Sequence, residues 1–422
     1  MRLIEKYIEW IVAIALSLVC CFDVIKQGLL VVDAKELLSY FTIFNYTILI
    51  CLLFYQLKHF GIKHNSTPYL CFFIIYYIAT LLYMTVLRVY PLDQMAAVPN
   101  TVWAYFVLLF RLILYLLCAE TIVKRFSLTK FVMIGSVFTL LPSMFYIYYF
   151  GVEAIQMSEY THDDDEYLSG LTMGYNCSPL IVCSVFFYKK IMPSKYLSIV
   201  LCSIIIAAGI YVLISLGNRG PILWMMVNII ICYYILKRKH LKLFVSLFII
   251  GFSFYLAKDM ILDNLSVTYP KTATRIKATL EEGDTHGRLD FDHPESSTFL
   301  IGLNNFYESP LTGSYFRLKT SYLHFRGAYA HNIFVEILST IGILGLVLFL
   351  YLLVISYNNC CRFFRNKQIT QIIAFMILFL SSFLMLQTSR SLLLRFDFWL
   401  PFYILCSLPR ILPFYQKNHL IK

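Results

Sequence analysis

AYAHNIFVEILSTIGILGLVLFL, residues 328–350, decides the fold. Beyond Asn332 the chain runs apolar to about residue 357, and roughly 20 such residues carry one helix across a bilayer core about 30 Å thick. The same template finds further segments near 8–25, 37–57, 69–89, 102–123, 131–150, 171–188, 197–216, 221–236, 243–258, 369–387 and 396–413. About twelve spans are expected, several short enough to tilt or re-enter. Composition agrees: 422 residues, 59% hydrophobic and 14% charged, with a mean hydropathy of +0.72. Those values exclude a water-soluble globular domain. The 36 Phe, 32 Tyr and 4 Trp supply lipid-facing bulk and interfacial anchors. With 13 Pro and 17 Gly the chain is neither disordered nor fibrous. The expectation is an all-α polytopic membrane protein.

Arg2 and Lys6 precede the first apolar run as in a signal sequence, but no small-x-small cleavage site follows, so the run reads as a retained first helix. All 12 Cys lie in or beside apolar segments, none in the longest polar stretch, and none has metal-type spacing. No disulfide framework is expected.

The net charge is +11. On a membrane protein basic residues answer first to the positive-inside rule, so no nucleic-acid partner is expected. With the N-terminus in the cytoplasm, 20 of the 35 basic residues fall inside, in clusters around Lys6, Lys58, Lys124 to Lys130, Lys189 to Lys195, Lys237 to Lys242, Arg362 to Lys367 and Arg410 to Lys422. Both termini are then cytoplasmic. One loop breaks the pattern: residues 259–331 form a long polar stretch on the outer face, and loops of that length are usually functional. The organisation expected is spans 1 to 9 in 1–258, a large periplasmic loop in 259–331, and spans 10 to 12 in 332–422.

Three places carry chemistry. Arg111 stands halfway along the fourth span, where a charge costs a few kcal/mol unless it faces protein, water or a lipid phosphate. A structural ion pair inside the bundle is the plain alternative. Arg219, in ISLGNRGPILWMM, holds a guanidinium in a tight outer turn just before Pro221. A helix N-terminus beside an Arg fork suits an anion, although a hairpin with a snorkelling Arg reads equally simply. His331 stands at the membrane surface with an imidazole able to take a proton near neutral pH. Its neighbour Asn332 suits a helix N-cap, and a structural His remains the alternative.

GNRGP at 217–221, GRLDF at 287–291 followed by GLNNFYESPLTGSY at 302–315, and AHNIFVEILSTIGILGLVLF at 330–349 resemble the O-antigen polymerase and O-antigen ligase superfamily of bacterial envelope glycosyltransferases. The resemblance covers the second half of the chain, and its last segment is the most specific. It implies a GT-C-like fold in the bacterial inner membrane, with the active face periplasmic and no metal or cofactor. The partners it implies are an undecaprenyl-diphosphate-linked oligosaccharide donor, a lipid-linked acceptor, membrane lipid and a chain-length regulator protein. By the same resemblance Arg219 and Arg288 hold the diphosphate and His331 is the catalytic base, with Asn332, Asp290, Arg275, Arg390 and Arg111 as supporting candidates. Two departures stand out: Tyr315 replaces a usual Gly, and DHPESS at 292–297 looks inserted.

The chemistry fits those residue types. Displacing a diphosphate from an anomeric carbon needs the acceptor hydroxyl deprotonated on one face and the departing charge stabilised on the other. Arginine suits the second task through its permanent charge and bidentate fork. Asp290 and Asp292 form an Asp-x-Asp that suits a divalent cation or, equally, orients Arg288. The expected function is polymerisation of a surface polysaccharide in lipopolysaccharide biosynthesis; the alternatives are an O-antigen ligase that transfers the glycan to lipid A core, and a flippase. The flippase is disfavoured because Arg111 is the main deep charge, Arg390 and Arg395 being assigned to the last outer turn.

Overall fold

The computed structural model describes residues 2–31, 35–62, 66–85, 102–157, 171–237, 258–277, 298–313, 332–365, 370–387, 392 and 395–412. Among them every regular element is a helix: α1 (Arg2–Val31), α2 (Lys35–His59), α3 (Thr67–Thr85), α4 (Val102–Leu117), α5 (Ala119–Lys124), α6 (Leu128–Phe150), α7 (Val152–Met157), α8 (Leu171–Phe187), α9 (Lys195–Ser215), α10 (Arg219–Lys237), α11 (258–268), α12 (Pro270–Lys277), α13 (Thr298–Glu308), α14 (Ile333–Arg365), α15 (Thr370–Met385) and α16 (Phe396–Ile411). In hydrocarbon a helix satisfies its own backbone groups, and long apolar runs therefore take this form. Each expected apolar segment is mainly helical where described; the ninth, 243–258, lies outside the described residues except for Lys258.

Among the described residues five helices are long and apolar enough to cross a membrane: Ile4–Leu29, Glu36–His59, Leu128–Phe150, Lys195–Ser215 and Ile333–Phe363. Shorter apolar helices cover Thr67–Leu81, Tyr105–Leu117, Leu171–Phe187, Gly220–Leu236 and Thr370–Met385. Their outward faces are apolar, as with Tyr40, Ile43 and Phe54 on α2, Val200 and Ile204 on α9, and Leu344 and Val347 on α14. Water does not favour such faces and lipid does. The chain is an all-α membrane protein by this measure.

Helices α1 and α6 run side by side in the same direction. Glu9 pairs with Lys130 at 2.5 Å, Cys21 Sγ meets Thr139 Oγ1 at 2.9 Å, and a Cβ on Gly28 would lie 3.2 Å from Pro142 Cβ. Three of the basic clusters, those of Lys58, Lys124 to Lys130 and Lys189 to Lys195, meet at the Lys130 end. Lys58 pairs there with Glu5 at 2.5 Å, Thr129 Oγ1 donates to Ile191 O, and Phe126 at the foot of α6 packs on Phe375 near the start of α15. The 217–221 turn belongs to the opposite end, which is called the far end below. There Gln156 Nε2, six residues past the end of α6, donates to Ser215 O at 2.8 Å.

Two expected spans are not straight. The fourth breaks at Cys118 into α4 and α5. The tenth turns a sharp corner at Gly342, whose φ is 71°. In a straight helix Phe334 and Phe349 would stand about 22 Å apart along the axis, whereas their rings meet at 6.1 Å. The first piece of α14 thus lies across the bundle instead of continuing the second.

Aromatic packing fixes α16 in the bundle. Trp399 is fully buried, with Tyr69, Phe73 and Tyr76 of α3 around it at centroid distances of 6.1, 5.4 and 5.7 Å. Its Nε1 donates to Leu392 O at 2.9 Å, and Tyr69 Oη donates to Trp399 O at 2.7 Å. Buried polar side chains bridge helices in the same way, as Asn228 Nδ2 does to Ser381 Oγ at 2.7 Å and Tyr115 Oη to Asn45 Oδ1 at 2.8 Å.

Candidate functional site

At the corner of α14 two distant stretches of sequence interlock. Residues 309–313 follow α13 and fit into the break. Pro310 O accepts from Ile343 N at 2.9 Å, which gives the amide freed by the break an acceptor. A Cβ on Gly342 would lie 2.3 Å from Leu311 O, and one on Gly313 2.4 Å from Thr340 C. Both glycines have φ near 70°, at 71° and 72°. Only glycine allows both that conformation and this approach. The stretches 302–315 and 330–349 are thereby joined backbone to backbone.

Asn332 opens α14. Its Oδ1 accepts from Phe334 N at 3.0 Å and Val335 N at 3.2 Å, which is an N-cap, while its Nδ2 donates to Gln387 Oε1 at 3.2 Å just beyond α15. One turn on, Glu336 is 1% exposed. It accepts from Tyr76 Oη at 3.1 Å and from Leu392 N at 3.0 Å. The carboxylate thus holds the chain ahead of α16 against α3.

The 217–221 turn is braced from behind. Gln156 Nε2 reaches Ser215 O, Gln156 Oε1 accepts from Thr272 N at 3.1 Å, and Thr272 Oγ1 donates to Ile214 O at 3.0 Å. Lys271 Nζ donates to Ile155 O at 3.2 Å. Helix α12 of the long polar stretch therefore sits on this turn. On the inner side a Cβ on Gly220 would come 2.5 Å from Tyr175 Oη. Tyr175 in turn lines a cavity of about 10 Å³ with Cys20, Ser382, Met385 and Asp397.

A second cavity, of about 20 Å³, shares Cys20 and Asp397 with the first and adds Asp23, Arg111, Arg395 and Phe22. Its charged lining is the buried Arg111, Arg395 and Asp397 together with Asp23, whose side chain is 45% exposed. Arg395, the N-cap residue of α16, is 3% exposed and its Nη2 is paired with Asp397 Oδ2. Its Nη1 stands 3.8 Å from Asp23 Oδ2, and Ser382 Oγ donates to Asp397 Oδ2 at 2.7 Å. Arg111 is 8% exposed and stacks between Phe22 and Phe396, whose ring centroids lie 4.4 and 4.2 Å from Cζ. No described residue accepts a hydrogen bond from its Nε. The Nε of Arg395 is likewise buried without an acceptor.

Arg111 therefore faces protein: it stands over the rings of Phe22 and Phe396 and lines one cavity with the acids Asp23 and Asp397. Arg395 is no surface cation of an outer turn, because Asp397 and Asp23 draw it inside. Sequence alone does not single out Asp23, Asp397 or Glu336; RFDFWL at 395–400, with two charges in an aromatic run, is the available signal for Asp397. Of the remaining candidates, His331, Arg288, Asp290 and Arg390 lie outside the described residues. Arg219 opens α10 and Arg275 sits in α12, both described in backbone alone. No family model and no curated protein matches the chain.

Proposed function

We propose that the protein is an O-antigen polymerase of GT-C-like, about twelve-span architecture in a bacterial inner membrane. It transfers an undecaprenyl-diphosphate-linked glycan onto a lipid-linked repeat unit at the periplasmic face. What supports this reading is one observation: the segments 302–315 and 330–349, chosen by resemblance, interlock through Gly313 and Gly342 and set Asn332, the neighbour of His331, against Gln387.

In the proposed reaction His331 takes the proton of the acceptor hydroxyl and the oxygen attacks the anomeric carbon of the donor. The bond from that carbon to the diphosphate breaks on the opposite face, and the diphosphate leaves with the electron pair, its charge met by Arg219 and Arg288. Asn332, Asp290, Arg275, Arg390 and Arg111 are the supporting residues. A single displacement inverts the anomeric configuration, so NMR of the product linkage should show inversion; retention contradicts the mechanism. His331→Ala should abolish transfer with folding and donor binding intact, and Arg219→Lys, which keeps charge and loses the fork, should lose most activity.

A ligase uses the same donor end and differs in acceptor. A deletion strain separates the two: loss of a polymerase leaves one repeat unit on the surface lipid, whereas loss of a ligase leaves no O-chain at all. The cluster of Arg111, Arg395 and Asp397, with Asp23 at its edge, favours a transporter more than the apolar spans alone do, since ionisable groups inside a bundle mark substrate paths. Glycan transfer by purified protein in detergent excludes that reading, because transport has no meaning without two compartments.

A further inference from the structure

The connection between α8 and α9, at the Lys130 end, carries Lys189, Lys190 and Lys195, all exposed. It is a built turn. Lys190 N donates to Phe187 O at 2.7 Å. Both backbone groups of the buried Ile191 are met by side chains: its amide donates to Ser198 Oγ at 3.0 Å, and its carbonyl accepts from Thr129 Oγ1 of α6. Ser194 Oγ caps α9 by accepting from Leu197 N at 3.5 Å. The backbone that presents the three ammonium groups is thus ordered by the fold itself, and a ligand that meets them has little left to order.

The charge at this end does not balance within the protein. Three described acids stand there, and each is already engaged: Glu5 with Lys58 at 2.5 Å, Glu9 with Lys130 at 2.5 Å, and Glu120 with Lys124 at 2.6 Å. Among the described residues no acid pairs with Lys189, Lys190 or Lys195. Lys189 stands over the ring of Tyr188 at 4.7 Å. Lys195 is the first residue of α9, whose first turn holds no acid. A cation at that end of a helix opposes the macrodipole, and an anion brought from outside relieves it. The positive-inside rule accounts for lysines on this side, but it does not distinguish the paired from the unpaired.

The surface next to the lysines names the carrier of the anion. Tyr196, Val200 and Ile204 follow at intervals of four, on one outward face of α9, and Tyr196 is 82% exposed. An aromatic ring beside the lysines suits the headgroup level, and an apolar stripe leading away from it suits acyl chains. A soluble acidic partner makes use of the lysines alone; a lipid with an anionic head makes use of both.

We propose that the 189–195 turn and the outward face of α9 form a retention surface for anionic phospholipids, with the three ammonium groups on the phosphate diester headgroups and Tyr196, Val200 and Ile204 along the acyl chains. The surface is independent of the reaction proposed above. The test titrates purified full-length protein in detergent with dioleoyl phosphatidylglycerol or dioleoyl phosphatidylcholine and reads the apparent affinity of each by native mass spectrometry. The native protein should bind phosphatidylglycerol about tenfold more tightly. Lys189→Gln, Lys190→Gln and Lys195→Gln combined should remove that preference. Glu5→Gln combined with Lys58→Gln, which leaves the net charge of this end unchanged, should keep it. Equal affinities for the two lipids in the native protein, or a preference that survives the triple replacement, overturns the proposal. A preference lost equally in Glu5→Gln with Lys58→Gln overturns the assignment to this turn. Displacement of phosphatidylglycerol by poly-glutamate or by inorganic phosphate, at constant ionic strength, assigns the lysines to a soluble anion and overturns the lipid assignment.

Discussion

Asp397 neutralises Arg395 inside the bundle while Ser382 fills one of its remaining lone pairs. Removing one partner of such a pair strands the other charge. Asp397→Asn should therefore destabilise the protein by about 3–5 kcal/mol in denaturant unfolding, whereas Arg395→Met with Asp397→Leu should recover most of that loss. If the single change costs nothing, Arg395 must have another anion. Asn332 works on a smaller scale: Asn332→Ala should cost about 1 kcal/mol as a lost cap. Residues of this kind divide in their legibility. Asn332 before an apolar run is visible because capping is local. The cluster is not, since Asp23, Arg111 and Asp397 meet only after three helices pack, and a sequence holds no sign of which helix faces meet.

Helix α14 shows what apolar periodicity reports and what it hides. The run from Asn332 onward is as helical as its composition demands, yet IGILG gives no hint that Gly342 turns a corner. The reason lies elsewhere in the chain, in the backbone of Leu311. Gly342→Ala and Gly313→Ala should each destabilise by about 1–3 kcal/mol through left-handed strain and overpacking. Hydrogen exchange should locate the damage: the amide of Ile343, protected by Pro310 O, should exchange faster in both variants. Unchanged protection in either would mean that the two segments do not interlock. The 217–221 turn reads more easily, as Gly and Pro mark it. Its bracing by Gln156 and Thr272 comes from two separate polar stretches and was not legible.

At the scale of the whole molecule, charge placement sets an expectation of sidedness. Lys58, Lys130 and the stretch beside Ile191 gather at one end, while the 217–221 turn and α12, with its own Lys271, Arg275 and Lys277, gather at the other; the positive-inside rule would set the first end in the cytoplasm. A membrane-impermeant thiol reagent on intact spheroplasts tests the sidedness this implies. In a Cys71→Ser background, Thr312→Cys should label and Lys190→Cys should not; the reverse pattern inverts the topology. Function was the least legible level, because the roles proposed for His331, Arg219 and Arg288 require residues far apart in sequence to meet at one place.

The central claim is that this membrane bundle joins glycans carried on a polyprenyl diphosphate. The direct measurement incubates purified protein in detergent with a synthetic undecaprenyl-diphosphate-linked repeat unit and resolves the products by mass. The account predicts a ladder of lipid-linked multimers from the native protein and unextended donor from His331→Ala. A ladder made equally well by His331→Ala, or donor left wholly unextended by a folded native protein, contradicts it.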